Sequence, residues 1–575
     1  MHCKCCDRRI SQDLVCVFCY ASIVGSALKR YRDAICDMEF RRDVLPLTNG
    51  DPLSELAMVG SLGLLQLARV KNSRQYRRNQ ASPLYSADIQ YLFQAIVWLD
   101  SYLTAWPKND PLRMLLVKLY LLIGCVSRAL SLWDKFDVKN VVLDSLGSLC
   151  FDRISTFAPG LFANATGHSS NAMKTFLRYY DNAIRANIPK KIVDAFHQQS
   201  WQSIPDMFTF SENLKRSCTL VMAVVEERRG ERVKTGKSLH DIGTDPLVSN
   251  LTLAHTLKDN TDLSYLPNFG GKDAVPTQVL VSHGPSLSSA RAHLSLQAER
   301  FIDLVSYVQP RDYKPSKVGI ILQADQKFAN DMSIHVGRLV EEVLKETELT
   351  LPEVHYYRII LKLSKLVVDL LSLYCLVPQP SADSRTVIES SIKDVLVELK
   401  EQSRNFLDVP STYTSKFRGF HGFVALHAMG MLRESALVIK LTASYLTAAM
   451  DKVKAADKVS RSHAEMTWAS NQLKTLTTDA AAAEKQIEHR IKGLKELVQG
   501  GGWIDRLHAW TFADSTHYTS LESREVMKMQ KEFRESLATD LKSAIGGNAA
   551  FERWAGTVVE SWQDLVNGWS AVKFG

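Results

Sequence analysis

The chain has 575 residues, 46% hydrophobic and 23% charged, the balance of an ordinary soluble protein with ample material for a large core. A net charge of +8 is too weak to imply a nucleic-acid or acidic partner by itself. Ten cysteines, five of them among the first nineteen residues, exclude a disulfide framework and suit a reducing compartment with room for one metal site.

The chain begins Met-His-Cys-Lys-Cys-Cys without a long early apolar run, so no signal peptide is expected. Cys3, Cys6, Cys16 and Cys19 form two CxxC pairs, and four thiolates so spaced can enclose a structural zinc. Val15, Val17, Phe18 and Tyr20 also fit an apolar helix, which leaves buried thiols as the alternative. A helix is predicted over Asp51–Val70, opened by Asn49-Gly50-Asp51-Pro52. After it, Lys71, Arg74, Arg77 and Arg78 surround Tyr76, a set able to touch phosphates with little sequence information. A solvated loop is the plain alternative.

From Ala95 to Leu146 the spacing carries a helical-repeat register. A tetratricopeptide repeat is roughly 34 residues, two antiparallel helices with small residues where they touch. Ala95 and Ala129 stand 34 apart, as do Leu99 and Trp133, and Pro107 closes the first of these helices. Leu116, Tyr120 and Gly124 fit the large, aromatic and turn positions of the helix between. A further step of 34 reaches Ala163 and Gly167, which match poorly, so the register covers about one and a half repeats.

Within that stretch lie Tyr120-Leu-Leu-Ile-Gly124, Ala129-Leu130, Phe136-Asp137-Val138-Lys139 and Asp144-Ser145-Leu146, with Trp133 between. This series resembles the centre of the auxiliary subunit family of the NatB N-terminal acetyltransferase, clearly over about Glu55–Leu161. The resemblance implies a non-catalytic α-solenoid that holds a small catalytic subunit and helps dock it at the ribosome. That partner would acetylate nascent chains starting Met-Asp, Met-Glu, Met-Asn or Met-Gln in the cytoplasm. The basic run Lys71–Arg78 is then the local candidate for a ribosomal RNA contact, and no DNA partner is implied. The family normally opens with further helical repeats, so residues 1–45 depart from it and suggest a truncated or misassembled start.

Beyond the motif, helices are predicted from Asp137 to Phe157, over Asn171–Ala186 and from Ser211 to Val233. Gly230–Ser238 imitates a phosphate loop but has five residues where four are required, and it follows a helix; a basic helix end is the better reading. Residues 236–286 carry scattered prolines and glycines and read as a long connection able to wrap a partner. Leu294, Ala298, Phe301, Val305 and Val308 form an apolar stripe. Lys314–Glu348 reads as a helical pair and Pro352–Val377 as a buried helix, whose Lys362, Lys365 and Asp369 argue against a membrane span. Phe417–Val498 reads as almost wholly helical. Leu473, Leu476, Ala480, Ala483 and Ile487 give way to Ile491, Leu494 and Val498, which suggests a helical hairpin. Trp503, Trp510, Trp554, Trp562 and Trp569 read as core anchors.

The fold class expected is all-α, a tetratricopeptide-like helical-hairpin solenoid with long C-terminal helices. The expected division is 1–45, a Cys-rich segment; 46–160, the family core; 161–310, helical with the irregular loop 236–286; and 311–575, helical. No protease, hydrolase, dinucleotide or acetyl-CoA motif is present, and His421 and His427, six apart, do not share a helical face. The chain therefore reads as a binding scaffold, not an enzyme, with no cofactor beyond a structural zinc. The alternative is a zinc-bearing helical adaptor of a membrane-trafficking or autophagy complex, led by the CxxC pairs.

Overall fold

The computed structural model describes residues 17–40, 42, 51–69, 89–136, 141–163, 168–238, 241–268, 276–306, 313–346, 348–376, 383–408, 423–456, 463–512 and 524–572. Five helices open it: α1 (Val17–Cys36), α2 (Pro52–Arg69), α3 (Ile89–Ala105), α4 (Asp110–Leu122) and α5 (Val126–Trp133), each packed on the one before. Their starts follow from capping chemistry. The Asp51 carboxylate accepts from the amides of Leu53 and Ser54, with Pro52 in the first turn. Asn109 does the same for Leu112, with Pro111 behind it. At the end of α4, Gly124 takes φ +77°, its amide bonds Leu121 O and the Cys125 amide reaches back to Tyr120 O. That is the double bond of a glycine-terminated helix, and it turns α5 back onto α4.

Next come α6 (Val141–Phe151), α7 (Ile154–Phe157), α8 (Gly160–Ala163), α9 (His168–Asn182), α10 (Ile188–His197), α11 (Ser203–Lys215) and α12 (Cys218–Thr235). Two helices expected to be continuous are broken. The helix toward Phe157 stops at Phe151 because Arg153 adopts a left-handed conformation, φ +66°. The run from Ser211 divides at Ser217, whose hydroxyl accepts from the amides of Thr219 and Leu220 and so starts α12 afresh. Both breaks turn side chains into the buried network described below.

The third group is α13 (Thr277–Leu280), α14 (Ser289–Ser306), α15 (Val318–Glu346), α16 (Leu351–Leu370), α17 (Asp383–Asp408), α18 (Phe423–Ala456) and α19 (His463–Gln499). The expected helical pair over 314–348 is one helix, α15, since nothing between Val318 and Glu346 interrupts it. The expected run from 417 to 498 is two helices, α18 and α19, packed as a hairpin. Leu473 through Val498 of the apolar series are all buried against it. The connection after α12 wraps this chain's own helices: Val248, Leu251, Leu257 and Leu266 are buried, and Lys258 pairs with Ser217 in an isolated bridge.

Finally α20 (Trp503–Phe512), α21 (Arg524–Ala544) and α22 (Asn548–Ser570) return to the start of the chain. α20 packs on α3, α21 on α1, and α22 on α3, α5 and α8 as well as on α19. Among the described residues the class is all-α, with no strand.

Candidate partner-binding surfaces

The described residues of the Tyr120–Leu146 series pack into the core. Tyr120 is buried, donates to Asp100 Oδ1 at 2.8 Å and accepts from Trp554 Nε1 at 3.0 Å. Arg128 supplies the countercharge to the same Asp100 oxygen at 2.9 Å. Burial, reinforced by Asp100, raises the Tyr120 phenol pKa well above its ordinary value, so it stays protonated. Two more indoles of α22 repeat the arrangement: Trp562 donates to Ile123 O at 2.9 Å and Trp569 to Phe157 O at 3.0 Å. Residues 554, 562 and 569 share one face of the helix, so the three indoles fasten the last helix to the motif. Ala129 is fully buried, and Trp133 meets Phe151 edge to face at 5.3 Å. Asp144 gathers the hydroxyls of Tyr180 and Ser217 and the Asn260 amide, tying α6 to α9, α12 and the following connection. Asp137 and Lys139 lie outside the described residues.

Below the motif runs a buried ionic network. Arg153 is bidentate to Glu353 at 2.8 and 3.1 Å, and Arg291 joins it through Asp152 at 2.7 Å. Arg232 is bidentate to Glu299 at 2.6 and 2.8 Å and reaches Glu434 at 2.9 Å. Arg228 pairs with Glu299 and Asp303, Arg229 with Glu226, and Arg433 with Glu434. Six guanidiniums thus face six carboxylates. Burial opposes ionisation of Glu299, but Arg232, Arg228 and Arg229 outweigh it and hold its pKa at about 2. Burial likewise opposes the Glu353 charge, and Arg153 and Arg291 hold it well below the usual carboxylate range. A neutral network of this kind offers no net field to a ligand. It fixes α7 and α12 against α14, α16 and α18.

No catalytic constellation accompanies it among the described residues. His427 is buried between the hydroxyls of Thr156 and Thr350 at 2.8 and 2.9 Å, and burial drops its pKa to about 3. It is a core histidine. His355, Glu398 and Glu401 cluster, but Lys362 already lies 2.7 Å from Glu398 and His355 bonds the same carboxylate at 2.6 Å. The buried Lys118 donates to Leu149 O at 3.0 Å, and His283 bonds Lys118 O at 3.1 Å, which ties the connection before α14 to α4. Of the proposed zinc ligands, Cys19 sits half-buried in α1. Cys3, Cys6, Cys16, the basic residues Lys71, Arg74, Arg77 and Arg78, and His421 lie outside the described residues.

What the molecule offers instead is surface. The α10–α11 hairpin presents Val193, Phe196, Trp201 and Phe208 at 53, 59, 54 and 57% exposure. Phe196 and Trp201 pack edge to face at 4.9 Å. Lys190 and Lys191 are exposed beside them. Apolar clusters of this size on a surface mark contact sites. The predicted helices 171–186 and 211–233 leave most of this hairpin uncovered, and its exposure was not foreseen. The signal was available in α10, where Ile192, Val193 and Phe196 stand on a short helix with only Ile188 and Ala195 buried.

Residues 22–263 match the family described as the N-acetyltransferase B complex (NatB) non catalytic subunit. The chain is 28% identical over 185 residues to the N-terminal acetyltransferase B complex subunit MDM20 of Saccharomyces cerevisiae, covering 31% of this chain and 22% of that protein. It is 26% identical over 207 residues to subunit arm1 of Schizosaccharomyces pombe, covering 36% and 24%. It is 23% identical over 173 residues to N-alpha-acetyltransferase 25, NatB auxiliary subunit, of Homo sapiens, covering 30% and 16%. The matched stretch therefore spans about a quarter or less of these relatives. The fold was also compared with the NatB acetyltransferase complex bound to CoA and MES, at 12% identity and TM-score 0.42 over 94% of this chain and 62% of that one. The complex bound to a bisubstrate inhibitor gives TM-score 0.45 at 12% identity over 94% and 64%. The similarity to the non-catalytic subunit of the N-acetyltransferase B complex is thus carried by residues 22–263, less than half of the chain.

Proposed function

We propose that this chain is an auxiliary subunit that holds a catalytic acetyltransferase subunit and helps place it at the ribosome in the cytoplasm. There it would serve co-translational acetylation of Met-Asp, Met-Glu, Met-Asn and Met-Gln ends. The observation that carries this reading is the family match over residues 22–263. The exposed aromatic hairpin α10–α11 lies inside that span and is the natural seat for the partner. The ion-paired core suits a rigid support more than a reaction centre.

The test is co-expression of the full chain, tagged, with a NatB catalytic subunit. Expected is a stoichiometric complex that acetylates a Met-Asp peptide, while the chain alone transfers nothing. Failure of the two to co-purify, or turnover by the chain alone, overturns the reading.

A further inference from the structure

A groove of about 670 Å³ lies where α5, α8 and the end of α22 meet, on a different part of the molecule from the α10–α11 hairpin. Its size falls in the range of pockets that seat a ligand or a short peptide segment. The base is closed by backbone contact: a Cβ placed on Gly160 would lie 2.2 Å from the Gly568 Cα. Val126, Leu130, Leu161 and Leu565 provide an apolar floor. Asp134 and Asp564 stand on the rim, both exposed, and neither has an ion-pair partner among the described residues. No lysine, arginine or histidine is among the described lining residues, although the chain as a whole carries +8.

From this apolar floor and acidic rim we infer that the groove binds a segment of a partner protein in which leucine-type side chains alternate with lysine or arginine. Apolar side chains would fill the floor, and the cations would reach Asp134 and Asp564. With no cation among the described lining residues, nothing described in the groove opposes the lysine or arginine side chains. The inference does not depend on which enzyme the chain holds.

The experiment measures fluorescence anisotropy of the full chain with a labelled peptide of sequence Leu-Lys-Lys-Leu-Leu-Lys, against the same peptide with glutamate for lysine. Expected is saturable, salt-weakened binding of the lysine peptide and about tenfold weaker binding of the glutamate peptide. Asp134→Lys with Asp564→Lys should weaken the lysine peptide about tenfold, since two attractive rim pairs become repulsive. Asp134→Asn with Asp564→Asn should weaken it about threefold, and it decides the matter by the same readout if the charge reversals fail to fold. Ile320→Ala, at an exposed site of α15, should leave binding unchanged. Absence of binding, equal binding of both peptides, or insensitivity to the aspartate variants overturns the inference.

Discussion

The last helix, α22, and the α10–α11 hairpin are built from the same material and meet opposite fates. The first sets its aromatic residues along one helix, the second on two short helices and the turn between them. In α22, Phe551, Trp554, Trp562 and Trp569 are buried, and every indole N–H of that face reaches an acceptor on the N-terminal helices. In the hairpin, Phe196, Trp201 and Phe208 stay in solvent. The difference lies in what the chain brings opposite each face. The return of residues 503–570 delivers α22 onto the family motif, and no described element is delivered onto the hairpin. An aromatic helix face is thus a core anchor where the chain closes over it and a contact surface where it does not.

Breaking the covered face should have the largest effect. Trp562→Ala removes a fully buried indole that also packs on Trp503 at 5.5 Å, and should cost about 3–5 kcal/mol in urea unfolding. A loss under about 1 kcal/mol would make α22 a peripheral addition rather than a clamp.

The interior behind the clamp should respond to acid. His427 has a folded pKa of about 3 against 6.5 for the ordinary side chain. Between those values the unfolded chain binds a proton that the folded chain refuses, so stability falls as pH drops below 6.5. Asp303 works in the opposite direction. Its pKa is raised to about 6 by burial, so the folded chain holds the extra proton there and gains stability as pH falls from 6 toward 3.8. The His427 contribution is therefore isolated as the difference between the parent chain and His427→Gln. That difference should shift by on the order of 2 kcal/mol between pH 7 and pH 5, the parent losing more. A pH-independent difference would mean that the imidazole titrates alike in the folded and unfolded chain, and a difference of opposite sign that it is held charged in the fold.

A smaller effect is expected at the turn that sets α5 under α22. Gly124→Ala forces a side chain into φ +77° and should cost about 1 kcal/mol, with the motif contacts otherwise retained. Equal stability would show that α4 can end without its glycine turn.

These contrasts also show what the amino-acid order reveals. The 34-residue register marked Ala95, Leu99, Ala129 and Trp133, and all four are buried. The stripe in α19 and the C-terminal tryptophans were equally legible, because apolar periodicity reports a buried face directly. Gly230–Ser238 was read as a basic helix end, yet its Arg232 is buried, as are Arg228 and Arg229 just before it, which that reading did not cover. A signal existed: Val221, Val225, Arg228 and Arg232 follow the 4-3-4 spacing of a single stripe, with charges standing where apolar residues would be expected. What no local pattern supplies is the set of partners, since Glu299, Asp303 and Glu434 come from helices far along the chain. The same limit hid the return of α22, and the exposure of the hairpin is its mirror image. Which face ends up covered depends on long-range topology, and the sequence of the face alone does not encode it.

The hairpin gives the smallest change in stability and the sharpest contrast with α22. Phe196→Ala with Phe208→Ala removes side chains already 59 and 57% exposed, so the melting of the isolated chain should move by no more than about 0.5 kcal/mol per site. In the co-expressed complex the same pair should lower recovery of the catalytic subunit about tenfold or more, because aromatic anchors commonly contribute 2 kcal/mol or more at contact sites. Trp562→Ala should show the reverse order, a large loss of stability and a loss of partner only in proportion to unfolded chain. If the hairpin variants destabilise the chain as Trp562→Ala does, the aromatics are core residues of this fold. If they leave both stability and recovery untouched, the partner sits elsewhere.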